Sequence, residues 1–340
     1  MKVMHFHFGK DGGAERFFVH LVKALAERGV EQTAVIRPHR PWRPEIEGST
    51  RITESHFRNL SLDRLLLPRK VMQMAQRDRP DALMAWAPRA SQLMPPYKRC
   101  IKISRLGDYP PRLDYFHNTD CIVCNTPGIA EHVRKLGWKR DVEIISNFTS
   151  TERVEPISRA TLDTPEGAPV VMSMGRFVER KGFHTLIEAV AKVPGAYLWL
   201  LGDGEEGENL HKLATDLGVS QRVRFAGWQK DTRRFLAAAD IFVMASNHEP
   251  LGNVILEAWA QGTPVVSSRS EGPQWFMRDG ENGLMVDIGD ADGFARAIER
   301  IADDRSLGAA LAERGHQTLV SHFSKEAITD AYLTLFASKR

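Results

Sequence analysis

Short apolar runs of strand length alternate with segments of helical periodicity along most of the chain. In the first 150 residues these runs lie at 2–8, 32–37, 82–86, 100–104, 121–125 and 143–145. The segment Ala14–Arg28 follows the first run and carries apolar residues at helical spacing, with Gly29 as its end. Strands that alternate with helices predict a parallel, doubly wound sheet that is covered on both faces.

The alternation resumes after a polar, aperiodic stretch between Phe148 and Pro169, which we interpret as an interdomain linker. Strands are predicted at 170–174, 196–201, 223–226, 241–244, 264–267 and 283–286, and helices at 182–192, 208–217, 231–238 and 253–261. Only helices are predicted after residue 290. The predicted fold class is therefore α/β, with two Rossmann-like, doubly wound domains at residues 1–150 and 168–325.

The length of 340 residues agrees with two domains, since a single hydrophobic core rarely serves so many residues. Charge is divided unevenly: residues 1–150 hold 25 Lys and Arg against 16 Asp and Glu, a balance of +9, whereas the remainder holds 21 against 27. The net positive charge of residues 1–150 predicts that this half of the chain contacts an anionic partner. We expect a phosphorylated acceptor or an anionic membrane surface rather than nucleic acid, because no aromatic platforms are interleaved with the basic residues.

Cysteine usage and the N-terminus indicate the compartment. Three cysteines do not suggest a disulfide framework and are typical of a reducing environment. Cys121 and Cys124 form a lone C-x-x-C, which we interpret as strand residues rather than metal ligands. The first eight residues lack the features of a signal peptide, and no apolar run reaches transmembrane length. We expect a cytoplasmic protein, with peripheral attachment to the inner face of the cell membrane left open.

Glycine-rich turns follow several predicted strands, at the sheet edge where open α/β proteins bind ligands. Gly12 and Gly13 follow the first strand and would let backbone N–H groups approach an anion, although a plain tight turn explains them equally well. Their loop matches neither a Walker motif nor G-x-G-x-x-G. Gly202–Gly204 and Trp228 follow two later strands, and Trp228 would either stack on a nucleobase or serve in packing.

The turn after the first strand of the second domain combines a glycine with cations. Gly175 frees the backbone, and Arg176 and Lys181 place a guanidinium and an ammonium five residues apart. Such a pair suits a diphosphate, which Arg contacts through a fork of donors and Lys as a point charge. Arg180 lies between them, and we expect at least one of the three cations to be only a surface charge.

The run Glu249–Glu257 is the most specific feature of the chain. Its first acid lies in a turn with Gly252, a predicted helix begins at Asn253, and the second acid lies about one turn inside that helix. Carboxylates beside a helix N-terminus can bind sugar hydroxyls while the N–H groups of the first turn face a phosphate. The second acid alone is more simply a salt-bridged or exposed helix residue, but the whole run together with the two cations predicts a nucleotide-sugar site.

This combination resembles the retaining glycosyltransferases of family 4. The resemblance rests on Gly12-Gly13-Ala14-Glu15, Gly175-Arg176, Lys181-Gly182, Gly202-Asp203-Gly204, Glu249 with Glu257, and Asp279-Gly280-Glu281-Asn282-Gly283. It covers the second domain densely and the first only at its opening loop. It implies the GT-B fold, in which two Rossmann-like domains face a central cleft, with the acceptor on the N-terminal domain and the donor on the C-terminal one. It also implies that the last helix, at about 326–340, joins the N-terminal domain.

The resemblance implies roles for single residues as well. Arg176 and Lys181 would bind the donor diphosphate beside Gly175, Glu249 would face the transferred sugar, and Glu257 would hold the ribose. The remaining donor contacts would come from Leu251, Gly252, Asn253 and Val254, and from Gly12 and Gly13 of the other domain. Trp228 remains the candidate for stacking on the base.

One departure from the family pattern concerns the acceptor side. Many relatives carry a histidine at the end of the strand that here reads Ile101–Tyr109, and this chain has none there. The candidates for its place are Asp108, Arg105 and His117, among which the sequence does not choose. His5 and His7 share one face of the first strand; they border the site or are strand histidines with satisfied hydrogen bonds.

The function expected is that of a retaining hexosyltransferase of cell-surface glycan synthesis. It would move a hexosyl or N-acetylhexosaminyl unit from a nucleotide-diphosphate sugar to a saccharide or lipid-linked acceptor of lipopolysaccharide or polysaccharide. Arg176, Lys181 and the helix N-terminus would stabilise the negative charge of the leaving diphosphate, so no metal and no other cofactor are expected.

Other interpretations stay open at this stage. A sugar-nucleotide hydrolase or epimerase on the same fold, and a catalytically silent donor-binding subunit, are the alternatives. Residues 60–70 form an apolar segment with basic flanks, which would dock on a membrane or form a buried helix. The sequence does not identify the nucleobase, the sugar or the acceptor.

Overall fold

The structure is a computed structural model that describes residues 1–10, 12–56 and 62–338, with the backbone alone at 62–65. The chain divides into two compact units. Unit 1 comprises Met1–Phe148 and Ser324–Arg340, and unit 2 comprises Thr149–Phe323. Both are α/β units built on parallel sheets, which confirms the predicted fold class.

Unit 1 contains a seven-stranded parallel sheet in the order β3-β2-β1-β4-β5-β6-β7. Its strands are β1 (Lys2–His7), β2 (Glu31–Ile36), β3 (Arg51–Glu54), β4 (Ala82–Trp86), β5 (Ile101–Leu106), β6 (Cys121–Cys124) and β7 (Asp141–Ile144). Its helices are α1 (Gly13–Glu27), α2 (Arg43–Ile46), α3 (Leu62–Asp78), α4 (Ala87–Ser91) and α5 (Pro127–Lys135). Of these seven strands, β3 alone was not predicted from the sequence. It is a short edge strand whose four residues are half-buried or exposed and thus lack an apolar run.

Unit 2 contains a six-stranded parallel sheet in the order β10-β9-β8-β11-β12-β13. Its strands are β8 (Val170–Met174), β9 (Tyr197–Leu201), β10 (Val223–Gly227), β11 (Ile241–Met244), β12 (Val265–Ser268) and β13 (Leu284–Val286). Its helices are α6 (Phe183–Ala191), α7 (Gly207–Asp216), α8 (Arg233–Ala238), α9 (Asn253–Gln261), α10 (Glu271–Phe276), α11 (Ala291–Asp303) and α12 (Arg305–His322).

The last helix, α13 (Lys325–Ala337), packs in unit 1. Tyr332 and Phe336 are buried there in the same core as the apolar face of α1. The rings of Phe17 on α1 and Tyr332 lie 6.5 Å apart, and Phe17 also contacts the ring of Phe148 at 5.5 Å. Aromatic burial therefore ties the end of the chain to the first helix.

The stretch predicted to be an interdomain linker has a different structure after Phe148. Residues 149–169 belong to unit 2 and are fixed by side-chain hydrogen bonds. Trp199 donates from Nε1 to Thr164 at 2.9 Å, and Arg159 donates to Asp240 at 2.9 Å. The stretch is ordered by polar contacts to distant residues, which its own aperiodic sequence does not reveal.

The strand orders fix where ligand sites are expected. In unit 2 the order reverses between β8 and β11, and in unit 1 it reverses between β1 and β4. Open α/β sheets bind ligands at such switch points, beyond the carboxyl ends of the strands. The glycine turns predicted from the sequence follow β1, β8 and β9 and therefore lie at these edges.

Within the described residues, no helix is both long and apolar enough to cross a bilayer. The segment predicted to dock on a membrane is only partly visible: residues 60 and 61 lie outside the described residues, and the side chains of 62–65 are not described. The remainder lies on α3, where the side chain of Leu66 is exposed.

Candidate active site

The loop after β8 is built by close backbone approach. Gly175 donates its N–H to Leu201 O at 2.9 Å, and Phe177 donates to Asp203 O at 2.8 Å, so this loop is joined to the end of β9. A Cβ on Gly202 would lie 1.9 Å from Gly175 O. Only glycine permits this contact, which explains the second glycine turn of the motif.

A short turn, Glu179–Lys181, then leads into α6 through Gly182. This glycine has φ 66°, and a Cβ on it would lie 2.0 Å from Ala245 O at the end of β11. The loop after β8 is thereby pressed against the loop after β11. The two strands at the switch point of unit 2 consequently bring their functional loops together.

The cations predicted on this loop are placed differently. Arg176 is exposed and has no ion pair or hydrogen-bonded side-chain partner in the part of the chain that the structure describes. Lys181 is half-buried, passes 4.0 Å from where a Cβ on Gly175 would stand, and pairs through Nζ with Glu249 Oε2. Arg180 is exposed as well, so the sequence rightly anticipated a surface charge among the three.

Glu249 is held by a residue that the sequence interpretation missed. Its backbone N–H donates to Glu271 Oε2 at 3.1 Å, and its carbonyl accepts from Gly272 N–H at 2.8 Å. The other oxygen of Glu271 lies 2.8 Å from His248 Nδ1. Glu271 opens α10 just beyond β12, so the carboxyl-end rule applied to every strand would have found it.

The environment of Glu271 keeps this anchor ionised. Burial would raise the pKa of its carboxyl, but hydrogen bonds from His248 and from the N–H groups of Glu271 and Glu249 outweigh burial and lower it. This carboxylate fixes the Glu249 N–H, and the Gly272 N–H fixes the Glu249 carbonyl, so both backbone groups of Glu249 are tied to the start of α10. The direction of the Glu249 side chain is thus set by α10 as well as by its own loop.

The helix predicted to face a phosphate, α9, begins at Asn253 and has Gly252 as its N-cap, with φ 92°. Among the described residues, no side chain forms a cap hydrogen bond at this N-terminus, and no acid lies in its first turn. Leu251 before it is buried, and Val254 is half-buried. The first-turn N–H groups carry the positive end of the helix dipole, which favours an anion.

Two further donor candidates lie at the same sheet edge. Glu257 is the fifth residue of α9, and its side chain is half-buried. Trp228 directly follows β10 and is 57% exposed, so the alternative that it serves in packing does not hold. An exposed indole next to the strand end has its ring face available for stacking.

In unit 1 the predicted glycine loop is covered by an acid of its own motif. Gly12, with φ 148°, precedes α1, which begins at Gly13. The carboxylate of Glu15 folds back so that Oε1 lies 1.6 Å from where a Cβ on Gly9 would stand. Oε1 also lies 3.7 Å from His7 Nε2. Glycine at position 9 therefore makes room for an acid at the end of β1.

The two histidines of β1 have different surroundings. His5 Nε2 lies 3.1 Å from Gln32 Oε1, and its Nδ1 accepts from Trp86 Nε1 at 3.4 Å. Both ring nitrogens of His7 are buried without a hydrogen-bond partner among the described residues. Burial lowers the pKa of His5 to about 4 and that of His7 to about 3, so both rings are neutral at pH 7. The interpretation as satisfied strand histidines holds for His5 only.

The three acceptor-side candidates do not come together. Arg105 lies near the carboxyl end of β5 and is 2% exposed, and Asp108 is exposed just beyond that strand. His117 precedes β6, and its carbonyl accepts from Arg140 Nη1 at 3.2 Å. In a parallel sheet the start of β6 is at the opposite edge, so the structure does not bring His117 to the place of the missing histidine.

Among the described residues, no cluster of three or more His, Cys, Asp or Glu side chains is arranged to hold a metal ion. Cys121 and Cys124 are buried strand residues, as the sequence indicated. Burial raises the pKa of the Cys124 thiol to about 12.

Two family models match consecutive parts of the chain. Residues 11–153 match the model described as Glycosyltransferase Family 4, and residues 154–318 match Glycosyl transferases group 1. Over 339 residues, the chain is 79% identical to the lipopolysaccharide core biosynthesis glycosyltransferase LpsE of Rhizobium meliloti (strain 1021), and the match covers all of both chains. It is 53% identical over 336 residues to LpsD of the same strain, with 99% of this chain and 98% of that one covered.

Solved structures share the fold at low identity. A Rickettsia africae glycosyltransferase superposes with a TM-score of 0.87 at 17% identity, over 98% of this chain and 97% of that one. Anabaena HepE in complex with UDP-glucose superposes with a TM-score of 0.84 at 23% identity, over 99% of both chains. The expected GT-B fold is confirmed, and the chain belongs to glycosyltransferase family 4. It is a glycosyltransferase, and the expected class of function, cell-surface glycan synthesis from a nucleotide-sugar, is confirmed at that level.

Proposed function

We propose that the chain transfers a hexosyl or N-acetylhexosaminyl unit from a nucleoside-diphosphate sugar to a lipopolysaccharide core acceptor. The names of its two full-length relatives support the acceptor class, and the complex of HepE with UDP-glucose supports the donor class. In this proposal unit 2 binds the donor, and unit 1 binds the saccharide or lipid-linked acceptor.

The ion pair between Lys181 and Glu249 at the switch point of unit 2 carries the proposal. A cation suited to a diphosphate and a carboxylate suited to sugar hydroxyls are in contact at the sheet edge where ligands bind. When the donor binds, Lys181 leaves Glu249 and contacts the diphosphate, and Glu249 contacts the hydroxyls of the sugar. Arg176 adds a second cation to the diphosphate, and Glu257 binds the ribose.

The remaining donor contacts follow from the same edge. The first turn of α9 directs its N–H groups at the phosphates, with backbone contacts from Leu251, Gly252, Asn253 and Val254. Gly175 leaves room beside Lys181, and Trp228 stacks on the base. Gly12 and Gly13 contribute backbone N–H groups from unit 1.

The chemistry rests on balancing charge. Cleavage of the bond between the anomeric carbon and the diphosphate develops negative charge on the leaving group, which Arg176, Lys181 and the α9 N-terminus stabilise. We propose that this suffices without a metal ion, and that the acceptor hydroxyl attacks from the side of the leaving group, with retention. Full activity in EDTA and an unchanged anomeric configuration are the expected results; an inverted product contradicts the second.

The decisive experiment screens UDP-, GDP- and ADP-sugars for thermal stabilisation of the wild type, Lys181→Ala and Glu249→Ala. One donor should raise the Tm of the wild type and much less that of either variant. Lys192→Ala is the matched control, since this lysine pairs with Asp292 at the far end of α6. A donor that stabilises all four proteins equally contradicts the site, and nucleoside diphosphate release without acceptor indicates a hydrolase instead.

We further propose that the enzyme works in the cytoplasm and docks on the inner face of the membrane. The basic N-terminal half and the exposed Leu66 between basic residues of α3 support this. Binding to vesicles that contain anionic lipid should fall when Arg69 and Lys70 are replaced by Gln. Equal binding of variant and wild type contradicts docking through α3.

A further inference from the structure

Arg105 is a buried cation that pairs with no carboxylate among the described residues. Its guanidinium lies over the rings of Phe17, at 4.7 Å, and Trp86, at 5.1 Å, and donates through Nη2 to Asn147 Oδ1. Its Nε is buried without a hydrogen bond to the described residues. Buried charges are normally paired, because removal from water is costly and a buried charge without an opposite charge is strongly destabilising.

The titratable groups around Arg105 do not supply that charge. Burial raises the pKa of the Tyr332 phenol and brings that of the Cys124 thiol to about 12, so both stay protonated despite the nearby cation. Burial, and then the charge of Arg105 itself, lowers the pKa of His7 to about 3, which leaves the ring neutral. Each of these neighbours is uncharged at pH 7.

Two acids that the structure describes at this sheet edge, Glu15 and Asp108, are directed elsewhere. Glu15 covers the glycine loop after β1, and its charge acts on Arg40 and His7. Asp108 is exposed, and its Oδ1 accepts from Tyr109 N–H at 2.8 Å. No acid among the described residues of unit 1 therefore pairs with Arg105, which leaves its charge for a bound anionic group.

Gly107 provides the place for such a group. The point where a Cβ on Gly107 would stand lies 3.3 Å from Arg105 Nη1 and 3.7 Å from Asn125 Nδ2. An oxygen atom near that point would have two donors within reach, one of them charged. The backbone of Gly107 does not have positive φ, so its small size, and not its conformation, distinguishes this position.

Other polar atoms without partners surround this place. The buried atoms at the carboxyl ends of the unit 1 strands that have no hydrogen bond to described residues include His7 Nδ1 and Nε2, Arg40 Nε, Asn125 Oδ1 and Ser146 Oγ. Buried polar groups in native proteins are satisfied with few exceptions, so a concentration at one edge needs an explanation. A polar ligand bound at this edge supplies one.

We propose that Arg105, together with Asn125 beside Gly107, recognises an anionic group of the acceptor saccharide, a carboxylate or a phosphate. This inference rests on the proposed function and specifies its acceptor: unit 1 selects a charged core saccharide over a neutral one. Arg105 is then a binding residue for the acceptor and not a substitute for the histidine of the relatives.

The test measures the Kd of core oligosaccharide in three forms: native, carboxyl-reduced and dephosphorylated. The oligosaccharide is deacylated and comes from a strain that lacks this gene. Wild type should bind one neutralised form about 10- to 100-fold more weakly than the native form, as expected for a lost charge-assisted hydrogen bond. The form that loses affinity identifies the group as a carboxylate or a phosphate.

Three variants locate the effect. Arg105→Gln should weaken binding of the native form to the level of the neutralised one and leave the neutralised form unaffected. Gly107→Ala fills the place of the oxygen and keeps the charge of Arg105. It should also reduce the difference in Kd between the native and neutralised forms, and it replaces Arg105→Gln in the test if that variant fails to fold. Arg140→Gln is the matched control, because this exposed guanidinium bonds to backbone carbonyls at the opposite edge.

Equal Kd values for all three forms, or discrimination that persists in both Arg105→Gln and Gly107→Ala, would overturn the inference. Transfer to all three forms with equal KM would do so while leaving the proposed function intact. No transfer to the native form from any nucleotide-sugar would instead contradict the proposed function, and the Kd comparison would still decide on the anion.

Discussion

The carboxyl edges of the two sheets differ in how their polar groups are satisfied. In unit 2 the side chains of the candidate site satisfy one another: Lys181 pairs with Glu249, and Glu271 binds both His248 and the backbone of Glu249. In unit 1 the corresponding edge holds His7, Arg105, Asn125 and Ser146, each with a buried polar atom that has no hydrogen bond to described residues. By our two proposals, the side chains of unit 2 exchange partners when a ligand binds, whereas those of unit 1 gain partners.

The difference has an energetic consequence. A buried polar atom without a partner costs about 1–3 kcal/mol, whereas a self-paired site avoids most of that cost. Unit 1 therefore bears a larger stability penalty at its ligand edge than unit 2, where Ser246 Oγ after β11 is likewise buried without a hydrogen bond to described residues. The predictions below test this contrast, from the largest expected effect to the smallest.

Acid should destabilise unit 1 before unit 2. Burial lowers the pKa of three histidines, all in unit 1: His5 and His20 to about 4 and His7 to about 3. Above pH 6.5 folded and unfolded states are both neutral at these sites. Between pH 6.5 and about 4 only the unfolded chain takes up the protons, so the free energy of unfolding falls as pH falls, by about 1.4 kcal/mol per pH unit for each histidine.

Urea unfolding at pH 7.5 and pH 5, with hydrogen exchange to assign the transition to a unit, measures this effect. His7→Phe is the informative variant, since His7 lies among the rings of Phe18, Trp42 and Trp86 at 4.7–5.6 Å. It should reduce the pH dependence by about one proton. The same dependence in wild type and variant would refute the assignment of His7 as a buried neutral ring.

Removal of either member of the self-paired site should abolish most activity. Lys181→Met and Glu249→Gln each remove one partner of the donor and leave the other half-buried and unpaired. We expect kcat to fall about 10²- to 10³-fold, the size found when a group that stabilises developing charge is removed. Steady-state kinetics with saturating donor measures it, with Lys192→Met as control; wild-type kcat in Lys181→Met contradicts its role.

Backbone contact between loops should account for a smaller, purely structural effect. Gly182→Ala places a Cβ 2.0 Å from Ala245 O at φ 66°, whereas Gly218→Ala has nearly the same φ, 69°, and nothing within 4 Å. The control should lose about 1 kcal/mol of stability from the strained φ alone. Gly182→Ala should lose about 2 kcal/mol more, because backbone must move. Equal losses in urea unfolding would show that the contact is unimportant.

How well the sequence predicted these features depends on the kind of interaction. The twelve strands predicted from the sequence are all present, and for most of them burial on both faces of a parallel sheet leaves a local apolar run. The edge strand β7 is an exception, since its residues are half-buried or exposed. The half-exposed edge strand β3 and the contacts of residues 149–169 have no such local signal in the sequence. Lys181 and Glu249, predicted as site residues from the cations, the glycine turns and the helix start, lie in contact at this edge, and their binding of the donor stays a prediction.

What the sequence could not give was pairing between distant residues. Nothing local indicates that Glu271 binds the backbone of Glu249, or that Arg105 lies buried between Phe17 and Trp86. Both depend on register and loop packing across the sheet. His117 failed as a candidate for the same reason, because proximity in sequence to β5 did not reveal that it precedes β6 at the opposite edge.

The smallest effect expected on catalysis concerns this missed anchor. Glu271→Ala removes the acceptor of the Glu249 N–H but leaves Lys181 and Glu249 in place. We expect kcat to fall about 10-fold, which corresponds to one hydrogen bond of about 1.4 kcal/mol. The Kd for nucleoside diphosphate should stay unchanged. Glu271→Gln, which still offers an oxygen to that N–H, should recover most of the loss. If Gln is as poor as Ala, the charge pair with His248 matters more than the position of Glu249. If both variants weaken diphosphate binding and kcat equally, α10 stabilises the whole carboxyl edge of unit 2. The contacts of Glu271 would then be structural and would not serve to orient the Glu249 carboxylate.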